Sequence, residues 1–382
     1  FTRGDNDTFP LWYVQEVEGF RTDVRVCNYM LSSGYWYVHQ MGRKVYESER
    51  MPLTLTPKEY DNGINEQIPV EEEEYFKGKT VELKQVIDFL HNPKAVKRYM
   101  GTSYNYIPCR SMKLTVDKEA CLRNGIVPES MKDRIVDEIT WEIKDNWMYK
   151  NAIMLLDFMA TNNWERPVYF TSFSDMSKVL GIDKYLHMEG LAYRFIPVEA
   201  EDYYRGVGGV YRDGSFDLLV TKANEGITNW GSMNEEGVVP DRESVRNSSY
   251  AQQAYSRLAQ ALVNHMQFDS AVLVMDKFQE FFPNDKFPAE IHTYQFPEMY
   301  YICGETDKGD AYLMKLVDNY SDKVRYYGSM KPRFRDYFED DIDEGMSLLK
   351  HFGDVAKKYE RADLAQLISD RMTEYLMSYY AE

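Results

Sequence analysis

Residues 1–31, FTRGDNDTFPLWYVQEVEGFRTDVRVCNYML, decide how the first half of this chain reads. Within them TFPLWYVQEVEG carries an early proline, Pro10, acidic Glu16 and Glu18, and a closing Gly19. Together these describe a helix of about three turns ended by a glycine cap. DVRVCNYML is an apolar, β-branched run suited to a strand buried on both faces. With the first residues as the tail of a preceding strand, the segment predicts a β-α-β unit and hence a mainly parallel, Rossmann-like sheet.

Working outward, residues 42–80 are polar, punctuated by Pro52, Pro57 and Pro69, and read as a surface excursion that includes the acidic run Glu71 to Glu74. TVELKQVIDFLHNP predicts a short amphipathic helix stopped by Pro93. SMKLTVDKE and RIVDEITWEIK alternate with period two and predict strands. WMYKNAIMLLDFMATNNWERPVYFTS then repeats the opening grammar: an apolar helix, an Asn-Asn-Trp turn, and a strand from Pro167 to Thr171. A helix over SDMSKVLGIDKYL, with Ser174 or Asp175 as its N-cap, and a strand over GLAYRFIPV complete an α/β domain over residues 1–235.

From Ser248 the pattern changes. SYAQQAYSRLAQALVNHMQFDSAVLVMDKFQEFFPND fits a tetratricopeptide-like hairpin, in which Ala259 and Ala271 let two helices approach while larger residues fill the seam. A looser copy places Gly309 where the first has Ala271, and a third places Ala362 there. Residues 236–382 are therefore expected to form an all-α domain of three stacked helical hairpins, about the minimum for a stable repeat array.

Composition narrows the chemistry. The formal charge is −17, from 45 basic and 62 acidic residues among 382, and no basic stripe interrupts it, so a phosphate backbone would be repelled. The longest apolar stretch, NAIMLLDFMA, carries Asp157 and falls well short of the roughly 20 residues a membrane-spanning helix needs. The opening residues show no basic n-region or apolar h-region and read as the tail of a strand, so the chain is expected to be part of a larger one, with any targeting signal outside it. Cys27, Cys109, Cys121 and Cys303 show no C-x-x-C spacing, which leaves open both a disulfide between Cys109 and Cys121 and buried free thiols.

Few motifs carry chemistry. Asp5-Asn6-Asp7 has three readings: a loop whose Asp7 or Thr8 caps the following helix while Gly4 and Asn6 take left-handed turns, a ligand- or partner-binding loop, or the divalent-metal clamp of a sugar transferase. Trp164 and Arg166 in NNWERPVYF fit a stacking and anion-binding corner, or simply an ordered turn feeding a strand. Gly206, Gly208 and Gly209 are not followed by a phosphate-cradling helix, the six histidines lack paired spacing, and G-x-S-x-G is absent. No catalytic residue and no cofactor is expected; Asp5, Asn6, Asp7, Trp12, Trp164 and Arg166 are the candidate ligand contacts.

GDNDTFPLWYVQEVEGFRTDVRV, NAIMLLDFMATNNWERPVYF and LGIDKYLHMEGLAYRFIP together resemble the soluble C-terminal part of a family of large Gram-negative bacterial membrane proteins. These carry a domain of unknown function similar to the multi-span protein O-mannosyltransferases of the GT-C class. The resemblance covers most of residues 1–220. It implies a domain at the periplasmic face of the inner membrane, following a membrane-embedded part outside this chain that would hold the catalytic acid. Joined to the repeat hairpins and the lack of a complete catalytic constellation, it leads us to expect a non-catalytic accessory module that binds acceptor protein, glycan or a partner subunit.

Overall fold

The computed structural model describes residues 1–172, 180–203, 207–223 and 230–380, residues 378–380 by their backbone alone. The chain forms two compact units, Phe1–Tyr211 and Arg212–Glu382. The first is mixed α/β and the second helical.

The first unit is built around helix Lys150–Thr161, in which every residue from Lys150 to Ala160 is buried. A helix buried on all sides must be surrounded, and helix Leu83–His91, with Leu83, Val86, Ile87 and Leu90 buried, packs against it. Asp157, fully buried in the central helix, accepts hydrogen bonds from the backbone N–H groups of Thr54 (2.8 Å) and Leu55 (2.9 Å) and from the Thr54 hydroxyl (2.6 Å). His91 continues this network, with Nε2 2.9 Å from Thr54 Oγ1 and Nδ1 2.6 Å from Glu59 Oε1. The polar 51–60 segment is thereby fastened to two helices, which satisfies a carboxylate that would otherwise be costly to bury.

The sheets differ from the mainly parallel, Rossmann-like sheet expected. Among the described residues they are small and mixed, and five of the seven strand pairings are antiparallel. Val81–Glu82 runs parallel to Ser111–Thr115, which pairs antiparallel with Glu138–Glu142. Both longer strands alternate buried and exposed residues, as their period-two pattern requires. A second sheet has the order Gly209–Val210, Leu186–Glu189, Ala192–Phe195, Tyr169–Phe170, and the pairing of Tyr169–Phe170 is antiparallel. The helix predicted from Ser174 lies largely outside the described residues.

At the start of the chain the predicted helix is present as Asp5–Glu16, and Gly19 takes a left-handed φ of 64°. The strand predicted over Asp23–Leu31 does not form. The parallel pairing survives as one bridge, with Thr2 N–H donating to Cys27 C=O (2.9 Å) and Tyr29 N–H to Thr2 C=O (2.8 Å). The reason is local competition. Asn28 spends its side chain on Leu31 N–H (2.9 Å) and the Thr8 hydroxyl (2.9 Å), turning the chain into the 3-10 turn Leu31–Ser33. Cys27, Cys109 and Cys121 are buried free thiols, and Cys303 is free as well.

The second unit contains three helix pairs: Arg242–Asn264 with Phe268–Phe281, Phe296–Ile302 with Thr306–Gly328, and Glu339–Lys358 with Ala362–Tyr380. The pairs repeat one turn. Two residues before each second helix stands a left-handed residue: Met266 (φ 58°), Gly304 (φ 82°) and Glu360 (φ 60°). Three residues into each second helix stands a buried small residue: Ala271, Gly309 and Ala365. The sequence pattern had placed Ala362 at this position, but Ala362 is exposed, and the repeat turn sets the register one helical turn later.

Candidate functional site

The opening loop is a helix start. Asp7 Oδ1 accepts from Gly4 N–H (2.8 Å), while Oδ2 accepts from Arg3 N–H (2.9 Å) and from the Thr171 hydroxyl. Gly4 is extended rather than left-handed, and Asn6 lies inside the helix. Thr8 is buried beneath, its hydroxyl 2.7 Å from Thr2 Oγ1 and 2.5 Å from Gly4 C=O. Asp5 is exposed in the first turn, where its charge favours the helix dipole. Both Asp7 oxygens thus face backbone donors. No group of three or more potential metal-ligating side chains exists among the described residues.

Trp164 and Arg166 form no open corner. Trp164 is 6% exposed, its ring is stacked on Phe195 at 5.6 Å, and Nε1 donates to Thr115 C=O (3.0 Å). Its left-handed φ of 57° makes the turn that feeds the strand. Arg166 donates to the carbonyls of Glu49 and Arg50, each at 3.3 Å.

Trp12 leads elsewhere. One face of the opening helix borders a groove of about 540 Å³, whose far wall comes from helix Tyr35–Met41 and the loop that follows. Phe9 and Trp12 stack at 5.6 Å with 30° between their planes, a consequence of their spacing of three on one helix face. Opposite stands Trp36, 53% exposed and edge-on to buried Tyr37 at 5.4 Å. Tyr46 closes one end, its hydroxyl donating to Glu16 Oε2 (2.5 Å). Gln15 is fixed by donating to Arg21 C=O and Val24 C=O, each at 2.9 Å, which leaves its amide oxygen available as an acceptor. Large aromatics half in water are apolar surface held open by rigid backbone rather than buried.

Polar groups lie between the aromatics. Arg25 spans the base of the loop, its Nη2 donating to the carbonyls of Arg43 (2.6 Å), Ser48 (3.2 Å) and Glu49 (3.4 Å). Burial, and next the neighbouring Arg166 guanidinium, lower the Arg25 pKa. Two groove-lining residues carry buried side-chain atoms without a hydrogen-bond partner: Arg25 at Nε and Ser48, 3% exposed, at Oγ. Leaving such an atom unpaired costs about 1–3 kcal/mol.

Of the six residues singled out from sequence, the groove uses Trp12 alone. Phe9, Gln15, Arg25, Trp36, Tyr46 and Ser48 were missed. The density of aromatics in GYWYVHQ was the available signal, but only folding brings it opposite the first helix.

A family model, TMEM260-associated domain 2, matches residues 1–214. No curated protein and no solved structure matches the chain. No helix among the described residues is long and apolar enough to cross a membrane.

Proposed function

The chain belongs to the TMEM260-associated domain 2 family, a domain associated with a membrane protein, and on that ground we propose a non-catalytic, extramembrane binding module whose groove at Trp12 takes a glycan. The observation that carries this reading is the cluster of half-exposed aromatic side chains, Phe9, Trp36 and Tyr46, that lines one groove together with Trp12. Sugar rings present apolar C–H faces to aromatic side chains and hydroxyls to amides, so Phe9, Trp12, Trp36 and Tyr46 would stack while the Gln15 amide oxygen accepts a hydrogen bond.

In the same reading the parent is a membrane glycosyltransferase-like protein, this module faces the periplasm, and the helix pairs of the second unit form a tetratricopeptide-like array that holds an acceptor protein or partner subunit. A turn that recurs three times supports the repeat reading, because each such unit needs a neighbour to cover its apolar face.

The test is tryptophan fluorescence and calorimetric titration with a panel of neutral hexose oligosaccharides, using the whole chain. Trp12→Ala and Trp36→Ala should each weaken binding tenfold or more without lowering the melting temperature by more than a few degrees. Binding of no oligosaccharide, or binding by both variants as tight as by the parent chain, would sink the reading.

A further inference from the structure

The chain contains two Asn-Gly pairs, Asn62-Gly63 and Asn124-Gly125, and the fold treats them differently. In such a pair the backbone nitrogen of the glycine can attack the side-chain amide before it, because no Cβ hinders its approach. Asn124 is held against this attack. Its Nδ2 donates to Trp164 C=O (2.9 Å), and Gly125 N–H is spent on Leu122 C=O (3.1 Å) at the end of helix Lys118–Arg123.

Asn62 is open to it. Asp61, Asn62, Gly63 and Ile64 are all exposed and form a β-turn closed by Ile64 N–H donating to Asp61 C=O (2.9 Å). Among the described residues no hydrogen bond holds the Asn62 side-chain amide, which is free to rotate toward the next nitrogen. Gly63 takes a left-handed φ of 78°, and a Cβ built on it would meet no atom within 4 Å. Its N–H, which must lose its proton to attack, donates to Glu66 Oε1 (2.9 Å), on a side chain that is half exposed and can pass the proton to water. The same turn anchors a buried charge. Lys150, 2% exposed at the start of the central helix, donates through Nζ to Glu66 Oε1 (2.6 Å) and to Asp61 C=O (3.2 Å), so its two acceptors stand on either side of Asn62-Gly63.

We propose that Asn62 is a site of spontaneous deamidation, assisted by Glu66. Gly63 N attacks Asn62 Cγ while its proton passes to Glu66. The N–Cγ bond forms, the Cγ–Nδ2 bond breaks, and Nδ2 takes up a proton and leaves as ammonia. Water then opens the cyclic imide at either carbonyl, giving aspartate or isoaspartate. Both products add a negative charge beside Asp61 and Glu66, and isoaspartate also lengthens the backbone between them, so the turn loosens its hold on Lys150. This inference uses no residue of the aromatic groove, so it stands or falls separately from the glycan reading.

The experiment is peptide mapping by mass spectrometry of the whole folded chain, sampled during incubation in mildly alkaline buffer at physiological temperature. Asn62 should convert at least tenfold faster than Asn124, which serves as the internal control, and isoaspartate should appear among the products. Glu66→Gln should slow Asn62 at least threefold and leave Asn124 unchanged. The aged parent chain should melt below the fresh one, whereas Asn62→Gln, which closes the ring far less readily, should keep its melting temperature over the same period. Conversion of Asn124 as fast as Asn62, an Asn62 amide still intact when the unfolded chain has converted, undiminished conversion in Glu66→Gln, or an unchanged melting temperature after conversion would each overturn the proposal.

Discussion

Asp7 holds the hydroxyl of Thr171, 164 residues further along the chain, with the same oxygen that accepts the Arg3 N–H. A residue that looks from the sequence like half of a metal clamp thus joins the start of the first helix to the end of the Tyr169–Phe170 strand.

Asp7, at the third helical position, accepts the N–H of the N-cap Gly4, so Asp7→Ala should destabilise the first unit by about 1–2 kcal/mol, the loss of that capping-box bond together with a side-chain hydrogen bond. Asp5→Ala, which removes only an exposed first-turn charge, should cost about 0.3–1 kcal/mol. Urea unfolding would separate the two. If manganese raises the melting temperature of the parent chain but not of Asp7→Ala, the cap assignment is wrong.

Asp157 is a sharper case. Asp157→Ala strands two backbone N–H groups and a hydroxyl inside the core, and should cost about 3 kcal/mol. Asp157→Asn should cost closer to ~1 kcal/mol, because its oxygen can keep the two N–H groups while its NH₂ donates to Thr54, whose own hydrogen turns to His91. Equal losses in denaturant titrations of the two variants would show that the network does not rearrange in this way.

Glu59 gives the first unit an acid-sensitive term. Although its burial opposes the charge, hydrogen bonds from Thr56 and His91 leave its pKa lowered from the ordinary 4.5. A folded-state value below the unfolded one contributes stability above that unfolded value, and the contribution is lost as pH falls from about 4.5 through the folded pKa. Asp157 acts in the opposite sense, since burial raises its pKa from 3.8. Below about pH 4.5, Glu59→Gln should lose stability less steeply than the parent in melts at stepped pH; identical slopes would count against the assignment.

Thiol reactivity should divide the cysteines. Burial pushes the Cys109 and Cys121 thiols up to about 12, and Cys27 is likewise raised and buried. Cys303, half-buried and pushed to about 11, should react first with an aromatic disulfide reagent. The other three should wait for unfolding, so their rate should rise steeply with denaturant. Four equally fast thiols in native buffer would contradict this order.

Gly309 tests the repeat packing. A Cβ there would lie 2.5 Å from Tyr301 Cε1. That ring cannot easily retreat, being stacked on Tyr359 at 4.8 Å and hydrogen-bonded to Asp310 (2.8 Å). Gly309→Ala gains about 1 kcal/mol of helix propensity but meets an overpacking cost of about 1–3 kcal/mol, so a net loss is expected. A higher melting temperature for the variant would mean that the hairpin has room to open.

Local pattern in the chain specified most of the helices and longer strands and which of their faces are buried. Ala259, Ala271 and Gly309 marked the helix pairs, Ile139 and Trp141 alternated as a half-buried strand must, and the run around Leu155 predicted an apolar helix. These are local periodicities, and burial follows them directly. Strand direction and the groove were settled by tertiary packing. Asn28 could continue a strand or turn to Thr8, Trp164 could present its face or bury it against Phe195, and Trp36 became a wall only when its helix settled opposite Trp12. Each of these choices is a competition between partners distant in the chain, which no periodicity within a single segment records.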